Sequence, residues 1–287
     1  MHKIKPKLEE ASRKILERGF NLFEGSGIGK IPGVFKLFTY IESRLFNTIV
    51  EIDGQKFHLD VSGGLRTTWN LYYKRIHEPH VTSIFCSLIT PGATVVDVGA
   101  SLGYYTLLAA KRVGNDGSVY AFEPHPPSFE RLIENVKLNN WKNVQAFNFA
   151  ISDKKGEKKL YVFKSGMASG SSFALKRDSV PITVKTMRLE DAVKTDIDLV
   201  KMDIEGAEVE VLKGMERILA KGKVKIICEV HPKDISLLGH DVAEITELLK
   251  KHNYRIYLID EEGSGGLVSM SRVSEQKAHY LFTREEI

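Results

Sequence analysis

Cysteine is scarce in this chain. There are two among 287 residues, Cys86 and Cys228, each inside an apolar run. A disulfide-stapled scaffold is therefore excluded, and two buried thiols are expected. No Cys/His spacing of a structural zinc site occurs. Long apolar runs are absent as well: none reaches the roughly 18 residues that would cross a bilayer. The first ten residues carry early positive charge with no apolar stretch behind it, so no secretion signal is expected, and the expected location is cytoplasmic. Charge of one sign is not in large excess. The 41 Lys+Arg and 37 Asp+Glu leave a formal +4, too little to argue for nucleic acid by itself. No internal repeat is present. What remains is ordinary globular composition, 43% hydrophobic and 27% charged. The length suits one large α/β domain plus an extension.

Residues 1–90 read as that extension. Leu8, Ala11, Ile15 and Leu16 mark an amphipathic helix over 7–20. Gly19 and the run Gly25-Ser26-Gly27-Ile28-Gly29 break it. That run is similar to a phosphate loop but has Glu24 and Ile31 where the motif needs Gly and Ser/Thr, and no strand precedes it. The aromatic-rich stretch 31–46 reads as a helix. It either lies on a membrane surface, with Lys36 and Arg44 near headgroups, or packs against the core or a second subunit of a homo-oligomer. Strands over 48–52 and 56–61 flank Asp53-Gly54, a hairpin turn signal. One or two helices fill 66–90, and Pro91-Gly92 launches the first core strand.

From residue 91 to 287 strands and helices alternate. Strands are predicted over 94–98, 118–122, 144–151, 197–202 and 225–230. Helices are predicted over 104–113, 127–140, 207–220 and 242–252. This pattern implies a parallel sheet with helices on both faces. Alternating strands over 158–163 and 181–187 interrupt it as an antiparallel insertion, with the small-residue loop 165–172 at its tip. Strands over 255–259 and 279–282 close the chain as a hairpin, so one strand is reversed.

The chemistry sits after the first core strand, in Val96-Asp97-Val98-Gly99-Ala100-Ser101-Leu102-Gly103, and after the second, in Ala121-Phe122-Glu123-Pro124. An apolar run ending in an acid and a glycine turn marks a nucleotide-cofactor cleft at the carboxyl edge of a parallel sheet. A dinucleotide fingerprint is poorly matched, because Ser101 and Tyr104 stand where its second and third glycines belong. A serine-hydrolase elbow does match Gly99-Ala100-Ser101-Leu102-Gly103, with Asp203 and His231 following in triad order. Yet the elbow would follow the first core strand, and no triad needs Asp97. An S-adenosylmethionine site needs only small residues over 99–101, Gly103, and an acceptor-only carboxylate such as Glu123 for both ribose hydroxyls.

On these residues the chain resembles the FkbM-type family of S-adenosylmethionine-dependent methyltransferases. Three more segments carry the resemblance. They are Leu132, Asn135 and Leu138-Asn139; Val200-Lys201-Met202-Asp203-Ile204-Glu205-Gly206-Ala207-Glu208 running to Gly214; and Ile227-Cys228-Glu229-Val230-His231-Pro232. Glu78 also fits the family's approach to its first strand. The match runs from about Glu78 to Tyr257, with Ser101 where the family often has Asn. The resemblance implies a Rossmann-like class I methyltransferase fold, α/β, with a seven-stranded mostly parallel sheet and one antiparallel strand. It also implies cofactor contacts from Glu78, Asp97, Gly99, Ala100, Ser101, Gly103, Tyr105, Thr106, Glu123, Pro124, Ala150 and Asp203. The activity implied is O-methyl transfer to a hydroxyl of a sugar, glycan or small metabolite. RNA 2′-O-methylation and a hydrolase using Ser101 are the alternatives.

A sugar hydroxyl is a poor nucleophile at neutral pH, so a base is expected. The candidates are Asp203, Glu205, Glu229 and His231, with His231 the natural choice by its ordinary pKa of about 6.5. Asp203 and Glu205 also read as helix-terminal charges. Lys201 shares a face with Asp203, as a lysine base or as the partner of Asp203 or Glu229. By ligand type Asp203, Glu229 and His231 also suit a metal, but no spacing signature supports one and none is assigned. The acceptor is expected to meet the 165–172 loop, the strand ends at 203–205 and 229–231, and the N-terminal helices.

Overall fold

The computed structural model describes residues 49–59, 70–72, 74–163, 172–175 and 178–287. The segments read as helices over 7–20 and 31–46, the 25–29 glycine run and nearly all of the 165–172 loop lie outside them. The chain divides into two compact units, 1–77 and 78–287.

In the first unit, β1 (Ile49–Ile52) and β2 (Gln55–His58) pair antiparallel, with Ile52 opposite Gln55. The two-residue loop is Asp53-Gly54, and both residues have positive φ, as the hairpin turn requires.

The second unit opens with α1 (Pro79–Leu88), which has Pro at its first position. Then come β3 (Thr94–Val98), α2 (Tyr104–Val113), β4 (Ser118–Phe122), α3 (Pro126–Leu138) and β5 (Val144–Phe147). Lys111 and Arg112 lie in the last turn of α2, where cations suit the helix dipole. The insertion follows as β6 (Ala150–Ile151), β7 (Gly156–Phe163) and β8 (Ser179–Met187). The rest is α4 (Leu189–Ala192), β9 (Leu199–Met202), α5 (Glu208–Lys213), α6 (Glu216–Lys221), β10 (Lys225–Val230), α7 (Pro232–Leu237), α8 (Ala243–Lys251), β11 (Arg255–Ile259), β12 (Leu267–Met270) and β13 (Ala278–Thr283).

The main sheet has the order β12-β11-β13-β10-β9-β3-β4-β5. Strands β3, β4, β5, β9 and β10 run parallel, and β13 is antiparallel to both β10 and β11. These with β11 are the seven expected strands. An eighth, β12, arises inside the connection between the two closing strands and adds an antiparallel edge beside β11. Two further boundaries differ. The strand read over 144–151 is split, because Asn148 turns its amide onto the carbonyls of Glu123 and Pro124. Its second half, β6, joins β8 in a separate three-stranded sheet with β7. The helix read over 207–220 is also split. At Gly214 a side chain would lie 2.0 Å from the Ser152 carbonyl, so the chain bends there around that backbone.

Alternating residues of the strands feed a continuous core: Val96, Val98, Phe122, Val200, Met202, Ile226 and Cys228 pack with Val209, Leu212, Leu219, Ile245 and Leu249 from α5, α6 and α8. Full burial of one such side chain contributes about 1.5–3 kcal/mol. Cys228 is buried and Cys86 half-buried, and no disulfide joins them. This core fixes the carboxyl ends of β3, β4, β9 and β10 side by side, the edge where ligands bind in open α/β sheets.

Candidate active site

Three chain crossings knit that edge together. The Gly99 and Ala100 amides donate to the Phe122 carbonyl at 2.9 and 3.1 Å, and the Asp203 amide donates to the Val98 carbonyl at 3.1 Å. Gly99 has φ +83, and a Cβ there would stand 2.1 Å from the Asp203 carbonyl. Only glycine lets the β3 and β9 ends close so tightly. Beyond it Ser101 is held in left-handed backbone at φ 49. That conformation aims its amide at Glu123 Oε2, 2.8 Å away, while the His125 amide takes Oε1 at 2.8 Å. Two of the roughly four acceptor positions of the Glu123 carboxylate are thus filled by backbone, and two are left. Burial pushes its pKa up to about 7, against those two amides, with Asp97 and Asp203 adding repulsion.

Asp97, 3% exposed, accepts the Thr106 hydroxyl at 2.6 Å. Burial raises it to about 6, against Thr106 and Lys201. Asp203, half-buried, is raised to about 7 by burial and by Glu229. Glu78 caps α1 in left-handed backbone, φ 45, and accepts the Tyr105 hydroxyl at 2.7 Å. Glu205 is likewise held at positive φ, 52, and its carbonyl accepts Ser172 Oγ at 2.6 Å. Non-glycine residues held in this region cost about 1–3 kcal/mol each and cluster at functional sites. Ala100 and Gly103 belong to the turn into α2, Tyr105 and Thr106 lie in its first helical turn, and Pro124 follows Glu123. Ala150 instead packs in the core of the three-stranded sheet with Leu160, Val162 and Val184.

Lys201, 1% exposed, stands opposite Asp97 in the β3–β9 register. Its Nζ lies 4.8 Å from the centre of the Tyr105 ring and has no hydrogen-bond partner. Burial alone would favour the neutral amine. Asp203, Glu78, Glu229 and Asp97 outweigh it and hold the ammonium above its ordinary range. Lys201 is therefore a cation at neutral pH, not a base.

His231 is not placed as the general base expected of it. It is 4% exposed. Its Nδ1 is 2.8 Å from Glu208 Oε1 and its Nε2 is 3.3 Å from Glu229 Oε2. Burial would lower its pKa, but the two carboxylates raise it to about 10. At neutral pH it already carries the proton a base would take. The triad reading also loses its geometry, since Glu208 rather than Asp203 holds His231. Glu229 is resisted by burial but drawn well below the carboxylate range by His231, His279 and Lys277. Lys277 Nζ sits 2.7 Å from its Oε1.

Glu208, Lys277, His279 and Glu261 were not among the residues chosen from sequence. Glu208 was visible as the last acid of the Asp-x-Glu-Gly-x-Glu segment. His279 reaches the site because β13 pairs it with Glu229. Its Nδ1 is 2.6 Å from Glu261 Oε1 and its Nε2 3.4 Å from Glu78 Oε2. Burial opposes its charge, yet Glu261 and Glu78 bring its pKa up to about 9.

Among known proteins, the Methyltransferase FkbM domain model matches residues 97–256. The hexuronic acid methyltransferase AglP of Haloferax volcanii is 28% identical over 171 residues, 57% of this chain and 68% of the relative. Methyltransferase sdnD of Sordaria araneosa is 29% identical over 178 residues, 50% of this chain and 68% of the relative. A crystal structure of Methyltransferase FkbM from Methylobacillus flagellatus aligns with a TM-score of 0.45 at 15% identity, over 75% of this chain and 54% of that one. No described helix is long and apolar enough to cross a membrane. The chain belongs to the FkbM methyltransferase family, with a Rossmann-like class I fold and S-adenosylmethionine as its cofactor.

Proposed function

We propose that this enzyme transfers the methyl group to a hydroxyl of a sugar, with an acidic sugar such as a uronic acid as the acceptor class. The observation that carries the reading is the convergence of Asp97, Glu123 and Asp203 at the ends of three adjacent strands. The relative acting on hexuronic acid supports the acceptor class.

The residues present fit the cofactor. Glu123 keeps two acceptor positions for a ribose diol. The buried carboxylates at 97 and 123 and the half-buried one at 203, all raised by desolvation, gain by facing a ligand that carries positive charge. When bound, the cofactor supplies a methyl group already activated on a sulfonium. The protein's task is then alignment and exclusion of water. Transfer would place the methyl carbon on the acceptor oxygen at the expense of its bond to sulfur, so a group of this chain must take up the hydroxyl proton. His231 and Lys201 are already protonated and Glu229 is occupied by Lys277 and His231. Glu205 lies beyond the strand end in left-handed backbone, and Asp203, half-buried beside the Gly99 turn, is the candidate placed to receive it. The lysine-base chemistry of RNA 2′-O-methylation gains no support from a Lys201 held as a cation.

The test is transfer of labelled methyl from S-adenosylmethionine into uronic-acid-bearing oligosaccharides, neutral oligosaccharides and RNA. The reading expects label in the acidic sugar that survives mild alkali, as an ether does. Label confined to RNA, or label released by alkali as from a carboxyl ester, would overturn it.

A further inference from the structure

The ends of β9 and β10 hold more than a base. One oxygen each of Asp203 and Glu229 and a ring nitrogen of His231 lie within 4.8 Å of one another. The two donors at the heart of this group, His231 Nε2 and Glu229 Oε2, are 3.3 Å apart, yet Nε2 has no hydrogen-bond partner. The distance is short, but the alignment is wrong for an N–H to donate. Donors about 2.1 Å from a common ion stand about 3.0–3.4 Å apart at adjacent positions and about 4.2 Å apart at opposite ones. The observed spacing suits two neighbouring ligands of one ion better than a hydrogen bond.

The other side of the ring is built to match. Glu208, with no exposed surface, takes His231 Nδ1 at 2.8 Å and also accepts the Gly206 amide at 3.1 Å. A carboxylate behind a histidine is the arrangement that fixes a metal ligand's tautomer and turns its free nitrogen inward. The wall beyond is equally ordered. Lys277 occupies Glu229 Oε1 at 2.7 Å, leaving Oε2 on the His231 side. The neighbouring group Glu78, Glu229 and His279 has the same ligand types. There Glu78 Oε2 already accepts Tyr105 and Glu229 Oε1 already holds Lys277, so it is the weaker candidate.

The geometry points to a divalent cation site formed by Asp203, Glu229 and His231, with Glu208 positioning His231 from behind and the ion taking the place of the Nε2 proton, which is released to solvent. Two carboxylates and one imidazole suit Mn²⁺, which accepts both donor types, with Mg²⁺ as the harder competitor. The inference rests on the proposed function and refines it. An ion held here would lie at the end of β9, where the acceptor hydroxyl would arrive, and would supply Lewis-acid activation of that hydroxyl. The proton leaves to the Asp203 oxygen that does not bind the ion.

The test uses the full chain, stripped with chelator, and Mn²⁺ alone as the probe. Free Mn²⁺ is followed by its electron paramagnetic resonance signal, and S-adenosylhomocysteine binding is measured in parallel by calorimetry. Wild type is expected to take up one Mn²⁺ per chain. Glu208→Gln is expected to weaken uptake by about 10–100-fold, and His231→Gln by at least as much. Both variants should still bind S-adenosylhomocysteine, which shows that they fold. Wild type that binds S-adenosylhomocysteine but leaves the Mn²⁺ signal unchanged up to millimolar concentration overturns the metal site and spares the methyltransferase reading. Undiminished uptake in His231→Gln overturns it as well. Failure to bind S-adenosylhomocysteine would instead strike the proposed function, whatever the Mn²⁺ result.

Discussion

Replacing Glu123 by Gln keeps the shape of the side chain and removes its charge. In the structure Oε2 and Oε1 each accept one backbone amide at 2.8 Å, from Ser101 and His125. A carboxamide can accept only one of them, and its NH₂ must face the other donor. On the ligand side the substitution removes one charge-assisted bond to a ribose hydroxyl and weakens the second. Bonds to charged groups contribute about 1.5–3 kcal/mol each, so about 3–4 kcal/mol of binding should go, or about 150–900-fold in Kd. The assay is calorimetric titration with S-adenosylhomocysteine. The pH dependence gives a second handle. Burial raises the folded pKa to about 7, so below that pH a proton must leave before the group can accept both hydroxyls. Wild-type affinity should therefore fall roughly tenfold from pH 8 to pH 6, and Glu123→Gln should lose this share of the slope. A folded variant that binds within about fivefold of wild type would refute the assignment of the ribose to Glu123.

Three further outcomes follow from the same edge. Asp97→Asn keeps an acceptor for Thr106 and removes a buried charge. The folded pKa of about 6 lies above its unfolded value, so the penalty is full above pH 6 and vanishes below about 3.9. Thermal melts of the cofactor-free variant should show a gain on the order of 2–3 kcal/mol at pH 8 that shrinks towards pH 4; a constant gain would argue against the buried charge as its source. Lys201→Met strands four carboxylates without their central cation and should cost about 3–5 kcal/mol at pH 8, read by urea titration, with less lost at pH 5.5 where carboxyls protonate. A loss below about 1 kcal/mol would mean that Lys201 is not their counter-charge. Gly99→Ala drives a methyl group against the Asp203 carbonyl in a left-handed backbone. A loss of about 3 kcal/mol, or roughly 6–12 °C in Tm for a unit of this size, is expected, and an unchanged Tm would contradict the close β3–β9 approach.

Much of this architecture was legible because its signals are local. The strands β3, β4, β10 and β11 and the helix α2 were placed at their observed bounds by apolar runs ending in glycine, acid or turn residues. Asp97, Glu123 and Asp203 could be chosen as strand-end acids for the same reason. What escaped depends on contacts distant in sequence. Asn148 breaks a strand by bonding Glu123 and Pro124, and Gly214 breaks a helix against Ser152. His279 enters the site through its register with Glu229 across β10 and β13. Lys277 enters through its ion pair with the same residue. His231 shows the limit most clearly. Its type and place at a strand end suggested a base. Its two carboxylate neighbours, one of them 23 residues earlier in the chain, make it a held cation or, in the inference above, a metal ligand. The left-handed backbone at Glu78, Ser101 and Glu205 likewise has no signature in residue type, since side-chain preferences would oppose it.

The most direct test of the account is a crystal structure of the full chain with S-adenosylhomocysteine. The account predicts both ribose hydroxyls on Glu123, the Gly99–Gly103 turn against the ligand, and its sulfur facing the Asp203 side of the cleft. A ligand seated elsewhere, or a ribose with Glu123 still bonded to the Ser101 and His125 amides alone, would contradict it.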